Sequence, residues 1–320
     1  MKIIGISVVK NEGDFIECFI RMNAYVIDEF FIADDKSDDE TLEIIGLLKQ
    51  EHIKINTFEI SDPTLRLEQQ QSTIIANLLQ SALKSGFDFA FLLDADELIL
   101  TSRKDVEREL ESLRPREYGA LPWKTFIPLK PDFPGAGNPI RDMFGPLIKE
   151  LYPYTKAVIP SQLVNESTIA PGNHFLVPSP KSQPIAQRTL GFPLCHFPVR
   201  SAEQIIAKSL VMCHKASMKR NKIDGEAGQH FMIREKLKKN NYTLSFSDIQ
   251  NIAYNYIDQA ERLFSSALLG SYNGLFVPDV QLRHTKNVAR AIGRLDGFLE
   301  ELCAEYRRSN STSRHIRNLV

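Results

Sequence analysis

Asp94, Asp96 and Glu97 fall within four positions near the end of the run FDFAFLLDADELIL, residues 87–100. Three carboxylates this close repel one another unless water solvates them, one is protonated, or a cation sits among them. In an extended segment, residues two apart share a face, so Asp94 and Asp96 would converge on one point. Oxygen ligands suit a hard divalent ion, Mg2+ or Mn2+, which commonly also takes phosphate oxygens from a substrate. Acids at strand ends are also common because loops are wet and Asp favours turns. The segment by itself leaves both readings open.

Two further polar clusters follow apolar runs in the same way: VKNE at Val9–Glu12 and ADDKSDD at Ala33–Asp39. The elements that must position them are short. KIIGISVV, DEFFIADD, IKINTFEI and FDFAFLLD read as strands, with helical patterns beginning near Glu12, Asp38 and Thr64. Ser37–Glu40, SDDE, has the form of a capping box, and SDPT sets a proline just ahead of the third helix. This βαβαβαβ order predicts an α/β protein with a mostly parallel, twisted sheet flanked by helices. Ligands of such sheets bind at the carboxyl ends of the strands, which puts all three clusters on one rim.

Residues 121–200 hold most of the 17 prolines, with aromatic residues and glycines between extended pieces such as TKAVIP and NHFLVP. So long an irregular stretch in a compact chain points to a pocket wall. From Ser201 onward helical patterns return, in SAEQIIAKSLVMCHKASMKR, SDIQNIAYNYIDQAERLFSSALL and TKNVARAIGRLDGFLEELCAEYRR. The division implied is a catalytic unit over 1–200 and a mainly helical C-terminal extension over 201–320.

At 320 residues and 43% apolar content the chain can bury a sizeable core without staples. Its 39 basic and 40 acidic residues leave no nucleic-acid footprint, so recognition must come from a local site. Cys18, Cys195, Cys213 and Cys303 are scattered, as reduced thiols of a cytoplasmic protein are. The N-terminus carries no signal-peptide pattern and no run is long enough to span a bilayer. The tail from Tyr306 has Arg307, Arg308, Arg314 and Arg317 without an acid, suited either to solvation or to contact with an anionic inner membrane face.

Several function classes are excluded by what the strand ends lack. Neither G-x-x-x-x-G-K-[ST] nor G-x-G-x-x-G follows any strand, against P-loop NTPases and dinucleotide-dependent dehydrogenases. A haloacid-dehalogenase-type phosphatase would place its aspartates after the first strand, and a sugar-nucleotide pyrophosphorylase would carry a glycine-rich loop where this chain has VVKNEGD. What remains is a metal bridging a diphosphate.

Four motifs in order, VVKNEGDFIECFIRMNAYVIDEFFIADDKSDDET, FDFAFLLDADELI, GNHF and LCHFPVRSAEQIIAKSL, resemble glycosyltransferase family 2 enzymes of the GT-A fold. The resemblance is to the bacterial subset that begins V-K-N-E and carries H-[FY]-x-x-R-S after the catalytic sheet. It implies that Asp94, Ala95 and Asp96 form the D-x-D that binds a metal–diphosphate, with Asp96 the more direct ligand and His196 completing the metal set. Arg200 and Lys208 would neutralise the leaving diphosphate. Lys10, Asn11 and Glu12 would line the donor end of the first strand, Asp34 and Asp35 the nucleoside end of the second, and Arg66 and Gln70 the donor side of the third helix. Asp38 and Asp39 read as acids at a helix N-terminus.

The resemblance further implies inverting transfer of a hexose from a nucleotide sugar, UDP-linked, to a saccharide or lipid-linked acceptor in surface polysaccharide biosynthesis, with Mn2+ or Mg2+ as cofactor. A carboxylate would take the acceptor proton. Glu97 lies beside the metal site, Glu150 and Glu166 lie in the irregular middle, and His174 in PGNH is placed to position the acceptor. Trp123, Phe126, Phe133, Tyr152 and Tyr154 would serve either as a stacking surface for sugar or as core. Two alternatives use the same acids: a non-catalytic sugar-nucleotide-binding protein of this fold, and a metal-dependent phosphoesterase.

Overall fold

Four short strands rich in β-branched and aromatic residues form the parallel half of the sheet in the computed structural model, which describes residues 1–60, 71–131, 138–180, 182–218, 228–256 and 262–285. They are β1 (Ile3–Val9), β2 (Glu29–Asp34), β3 (Ile55–Glu59) and β4 (Phe89–Leu92), ordered β3-β2-β1-β4 and all parallel. Helices α1 (Ile16–Asn23), α2 (Thr41–Gln50) and α3 (Gln71–Leu83) make the crossovers. Side chains alternate between two cores, as the two-residue period of a strand requires. Ile3, Phe30 and Phe91 join one cluster with Phe19 and Leu48, while Ile4, Phe31 and Leu92 join the other with Leu78. Both faces are covered, which is why β1 reads as an almost unbroken apolar run.

The proline-rich middle is less irregular than its sequence implies. It follows β5 (Glu97–Leu98) and α4 (Arg103–Glu111), and contains β6 (Glu117–Pro128), α5 (Pro139–Met143), β7 (Phe144–Pro146), β8 (Thr155–Pro160), β9 (Ser167–Ile169), β10 (Leu176–Pro178), β11 (Ala186–Thr189) and β12 (Leu194–His196). The sheet runs β3-β2-β1-β4-β8-β6-β12-β5, with β7 and β11 also on β6. The expected mostly parallel sheet is therefore present, with β5, β7 and β8 as its antiparallel members. Because β8 runs against β4, with Phe91 opposite Val158, the start of β8 meets the end of β4 at one rim.

The helices after residue 200 are α6 (Ala202–Met218), α7 (Gly228–Lys239) and α8 (Phe246–Tyr254). Ile205, Leu237, Ile249 and Ile252 share a third core with Ile127 of β6, Leu147 and Val199, so these helices pack on the end of the sheet. Two expectations are corrected. α8 ends at Tyr254, and a single 3-10 turn at Ser266–Leu268 stands where the helical reading continued. Ser37 does not cap α2, because it is turned back onto Asp34; Asp39 accepts from the Thr41 amide at 3.0 Å instead. The stretch read as the last helix begins at Thr285, and from residue 286 on it lies outside the described residues, as does the basic tail. Among the described residues no helix is long and apolar enough to cross a membrane.

Candidate active site

Asp94-Ala95-Asp96-Glu97 leaves β4 as a turn, closed by the Glu97 amide donating to the Asp94 carbonyl at 3.0 Å. Asp94 and Asp96 thus leave the strand on a turn and not on the extended backbone where residues two apart share a face. Each carboxylate has its own cation from the chain. Lys156 Nζ, from β8, lies 2.5 Å from Asp94 Oδ2 and 3.6 Å from Glu97 Oε1. Lys208 Nζ, from α6, lies 3.2 Å from Asp96 Oδ2, with Arg200 Nη1 at 4.0 Å. The crowding of acids is thus relieved largely by side chains distant in sequence.

Glu97 is fully buried and holds the turn together: its carboxylate accepts from the Trp123 indole N–H at 2.8 Å and from the Asp94 amide at 2.8 Å. Burial pushes its pKa well above the ordinary range, against the pull of Lys156. Asn23 of α1 fastens the segment from behind, donating to the Glu97 carbonyl and accepting from the Ile99 amide. Ala95 is buried beneath the turn.

His196 ends β12 opposite Glu97 and stacks on Trp123 with ring centroids 4.2 Å apart. Its Nε2 faces Asp96 Oδ1 at 3.9 Å, beyond hydrogen-bond reach, and its Nδ1 has no hydrogen-bond partner among the described residues. Burial lowers its pKa to about 4, outweighing the attraction of Asp96, so the imidazole is neutral at pH 7 with a lone pair for a cation. Asp96 is desolvated too, but Lys208, His196 and Arg200 hold it well below the ordinary carboxylate range. A buried carboxylate oxygen 3.9 Å from a neutral imidazole nitrogen, too far apart to hydrogen-bond to each other, fits Mn2+ or Mg2+ as two donors, other positions falling to substrate oxygens or water. Among the described residues, no group of three His, Cys, Asp or Glu side chains forms a complete ligand set.

Arg200 ties this cluster to the N-terminal motif. Its guanidinium donates to Asp14 at 2.9 and 3.0 Å and to Glu12 at 2.6 Å, and lies 5.1 Å over the Phe15 ring. Glu12 is desolvated there, and even against Arg200 its pKa rises to about 7.

The remaining sequence candidates divide. Asn11, at φ 54°, holds the loop through its amide to Ser37 Oγ and its side-chain oxygen to the Asp38 amide. Lys10 Nζ donates to the Asp35 carbonyl, and Asp34 is buried with both oxygens on Ser37. These residues shape the rim between β1 and β2. His174 joins the cluster's edge, its ring 5.7 Å from that of Trp123, with Nδ1 against the Thr155 carbonyl at 2.7 Å. Glu166 is not brought in: it pairs with Arg116, and no contact above connects it to the cluster. Glu150 is spent on the Thr125 amide and hydroxyl. Arg66 and Gln70 lie outside the described residues.

Sequence reasoning missed Lys156 and Asp14. The lysine had a signal, a lone charge inside the apolar strand TKAVIP. Asp14 had none beyond its closeness to VKNE.

No family model matches the chain, and no curated protein matches it. Among solved structures, a mannosyltransferase from Pyrobaculum calidifontis in complex with GDP-Man and Mn2+ is 18% identical over 38% of this chain, at TM-score 0.30. The match spans about a third of that protein's length, 35%. A protein described as a nucleotide-diphospho-sugar transferase from Desulfovibrio desulfuricans is 11% identical over 77% of this chain and 100% of that one, at TM-score 0.33. Neither overlap is close enough to carry an argument about this chain's chemistry.

Proposed function

We propose that this chain is a glycosyltransferase that moves a hexose from a nucleotide-sugar donor, UDP-linked, to a saccharide or lipid-linked acceptor of a surface polysaccharide, with inversion. The observation that carries this reading is the meeting of Asp96, His196, Arg200 and Lys208 at the carboxyl end of β4, from two motifs about a hundred residues apart in sequence. Residues 1–200 serve as the catalytic unit and 201–320 as an extension that lends Lys208 to it. The basic tail serves as contact with the inner membrane face.

Asp96 and His196 would hold the divalent ion, Mn2+ or Mg2+, which when bound supplies positive charge against the donor's diphosphate. Lys208 and Arg200 bind the same diphosphate and stabilise the negative charge that grows as it leaves. Arg200 is itself oriented by Glu12 and Asp14. Asp94 is half-exposed on the Lys156 ammonium, open to the donor's sugar hydroxyls. Lys10, Asn11, Asp34 and Asp35 shape the wall that receives the nucleoside.

His174, expected from the sequence only to position the acceptor, suits the role of proton acceptor better than Glu97, Glu150 or Glu166. Its Nδ1–H donates to the Thr155 carbonyl, which leaves the Nε2 lone pair available, and burial lowers its pKa so that the ring is neutral at pH 7. Glu97 is enclosed by its own hydrogen bonds and Glu166 is engaged by Arg116.

The test is a thermal-shift panel of nucleoside diphosphates with and without Mn2+, since a ligand of the folded state raises Tm. UDP with Mn2+ should raise it more than either alone, and Asp96→Ala should abolish the increment without unfolding the protein. A donor-hydrolysis assay then separates catalysis from mere binding. Phosphate release from simple esters with no nucleoside requirement would favour the phosphoesterase alternative, and a panel in which no nucleotide raises Tm would remove the donor reading altogether.

A further inference from the structure

The structure sorts the aromatic residues of the middle segment. Phe126 is fully buried against Phe197, and Phe133 lies outside the described residues. Tyr152 and Tyr154 are 41% and 40% exposed. They precede β8, whose start lies at the rim where β4 delivers Asp94. The Trp123 amide donates to the Tyr154 carbonyl at 3.0 Å, carrying the β6–β8 pairing out to this point.

The rings form a continuous row. Centroids are 6.3 Å apart from Tyr152 to Tyr154, 5.6 Å from Tyr154 to Trp123, and 4.2 Å from Trp123 to His196. His174 flanks it, 5.3 Å from Tyr154. The row therefore starts at solvent and ends on the side chain that faces Asp96.

We propose that Tyr152, Tyr154 and Trp123 form the acceptor subsite, a ring platform that receives a neutral saccharide unit and directs its hydroxyl past His174 toward the Asp96 cleft. The proposal rests on the transferase reading above and names its acceptor chemistry. A sugar ring has apolar C–H faces and hydroxyl edges. The platform matches both, with ring faces for stacking and the tyrosine hydroxyls and His174 Nε2 at the edges; a purely apolar partner would leave those polar groups without compensation. Lys156 lies 5.9 Å over the Trp123 ring but is neutralised by Asp94 at 2.5 Å, so this ammonium gives an acidic sugar no free charge to pair with.

Trp123 is the chain's single tryptophan, so its emission reports on the platform directly. Maltohexaose, cellohexaose, chitohexaose and mannohexaose serve as probes. At least one should quench or shift the emission saturably, and Tyr154→Ala should weaken that binding about tenfold, with Tyr152→Ala acting in the same direction. The UDP–Mn2+ thermal shift of both variants should match that of the unaltered protein, which also shows that they fold. Emission unmoved by all four saccharides while UDP–Mn2+ still raises Tm overturns the platform and spares the transferase reading. Unchanged saccharide affinity in Tyr154→Ala does the same. Saccharide binding with no response to any nucleotide sinks the transferase reading, and the acceptor role with it.

Discussion

Lys156 Nζ lies 2.5 Å from Asp94 Oδ2 while its side chain is 1% exposed, so a buried ammonium from β8 holds the acidic turn at the end of β4. The same ammonium is 3.6 Å from Glu97, which is wholly enclosed. Removing one member of a buried pair leaves the other uncompensated. Lys156→Met should therefore destabilise the fold by roughly 2–4 kcal/mol, toward the lower end of the range for buried pairs because Asp94 is partly solvated. Urea denaturation measures this, and adding Asp94→Asn to the same protein should recover part of the loss. A Lys156→Met protein as stable as the original would show that water screens Asp94 without help.

His196 presents a neutral ring to Asp96, with Nε2 3.9 Å from the carboxylate and Nδ1 without a hydrogen-bond partner among the described residues. Replacing it by Ala should weaken Mn2+ binding in the presence of UDP by about tenfold or more, one lost donor of roughly 1.4 kcal/mol. Calorimetric titration of Mn2+ is the measurement. Unaltered Mn2+ affinity would leave His196 as a packing partner of Trp123 and nothing more.

Glu12 is held protonated up to about pH 7 in the fold, against an ordinary value of 4.5, because burial outweighs the attraction of Arg200. The folded state therefore binds the extra proton, and stability falls as pH rises from about 4.5 to about 7 and levels off above it. Glu12→Gln cannot titrate but still accepts from Arg200. Relative to that variant the unaltered protein should lose on the order of 1–3 kcal/mol across this window, seen as a drop in the urea midpoint between pH 5 and pH 8. Parallel pH profiles for the two proteins would contradict the assignment.

Glu17 is fully buried on α1, and its carboxylate accepts from the backbone amides of Arg283, His284 and Thr285 at 2.7, 2.9 and 2.7 Å. A carboxylate spent this way pins a late segment of the chain to the first helix. Glu17→Ala should leave those amides short of an acceptor, cost about 1–3 kcal/mol, and speed hydrogen exchange at 283–285 selectively. Exchange that stays slow there would mean the segment is held by other contacts, such as His284 to Glu51.

The parallel half of the fold was legible because its strands are apolar on both faces and its helices fall between them at regular spacing. The three polar clusters were legible for the same reason: strand ends in such a sheet mark a rim. What misled was local. SDDE looks like a capping box, but Asp34, three residues earlier, competes for Ser37 and wins through two hydrogen bonds. The prolines suggested loops, whereas β6, β7 and β8 place prolines at strand ends or on short pairings, where a missing N–H costs little.

Sequence by itself determined that β4 ends in Asp94, Asp96 and Glu97, and that a histidine and two basic residues follow a later strand. Local pattern suffices there, because each strand and its adjoining turn are specified by neighbouring residues. Only the tertiary structure decided which cation meets which acid. Lys156 reaches Asp94 because β8 runs against β4, and Arg200 reaches Glu12 and Asp14 because β12 carries the chain back beside the first loop. Charge pairing acts through space over a few ångströms, while these residues stand tens to hundreds of positions apart, so no window along the chain contains the information.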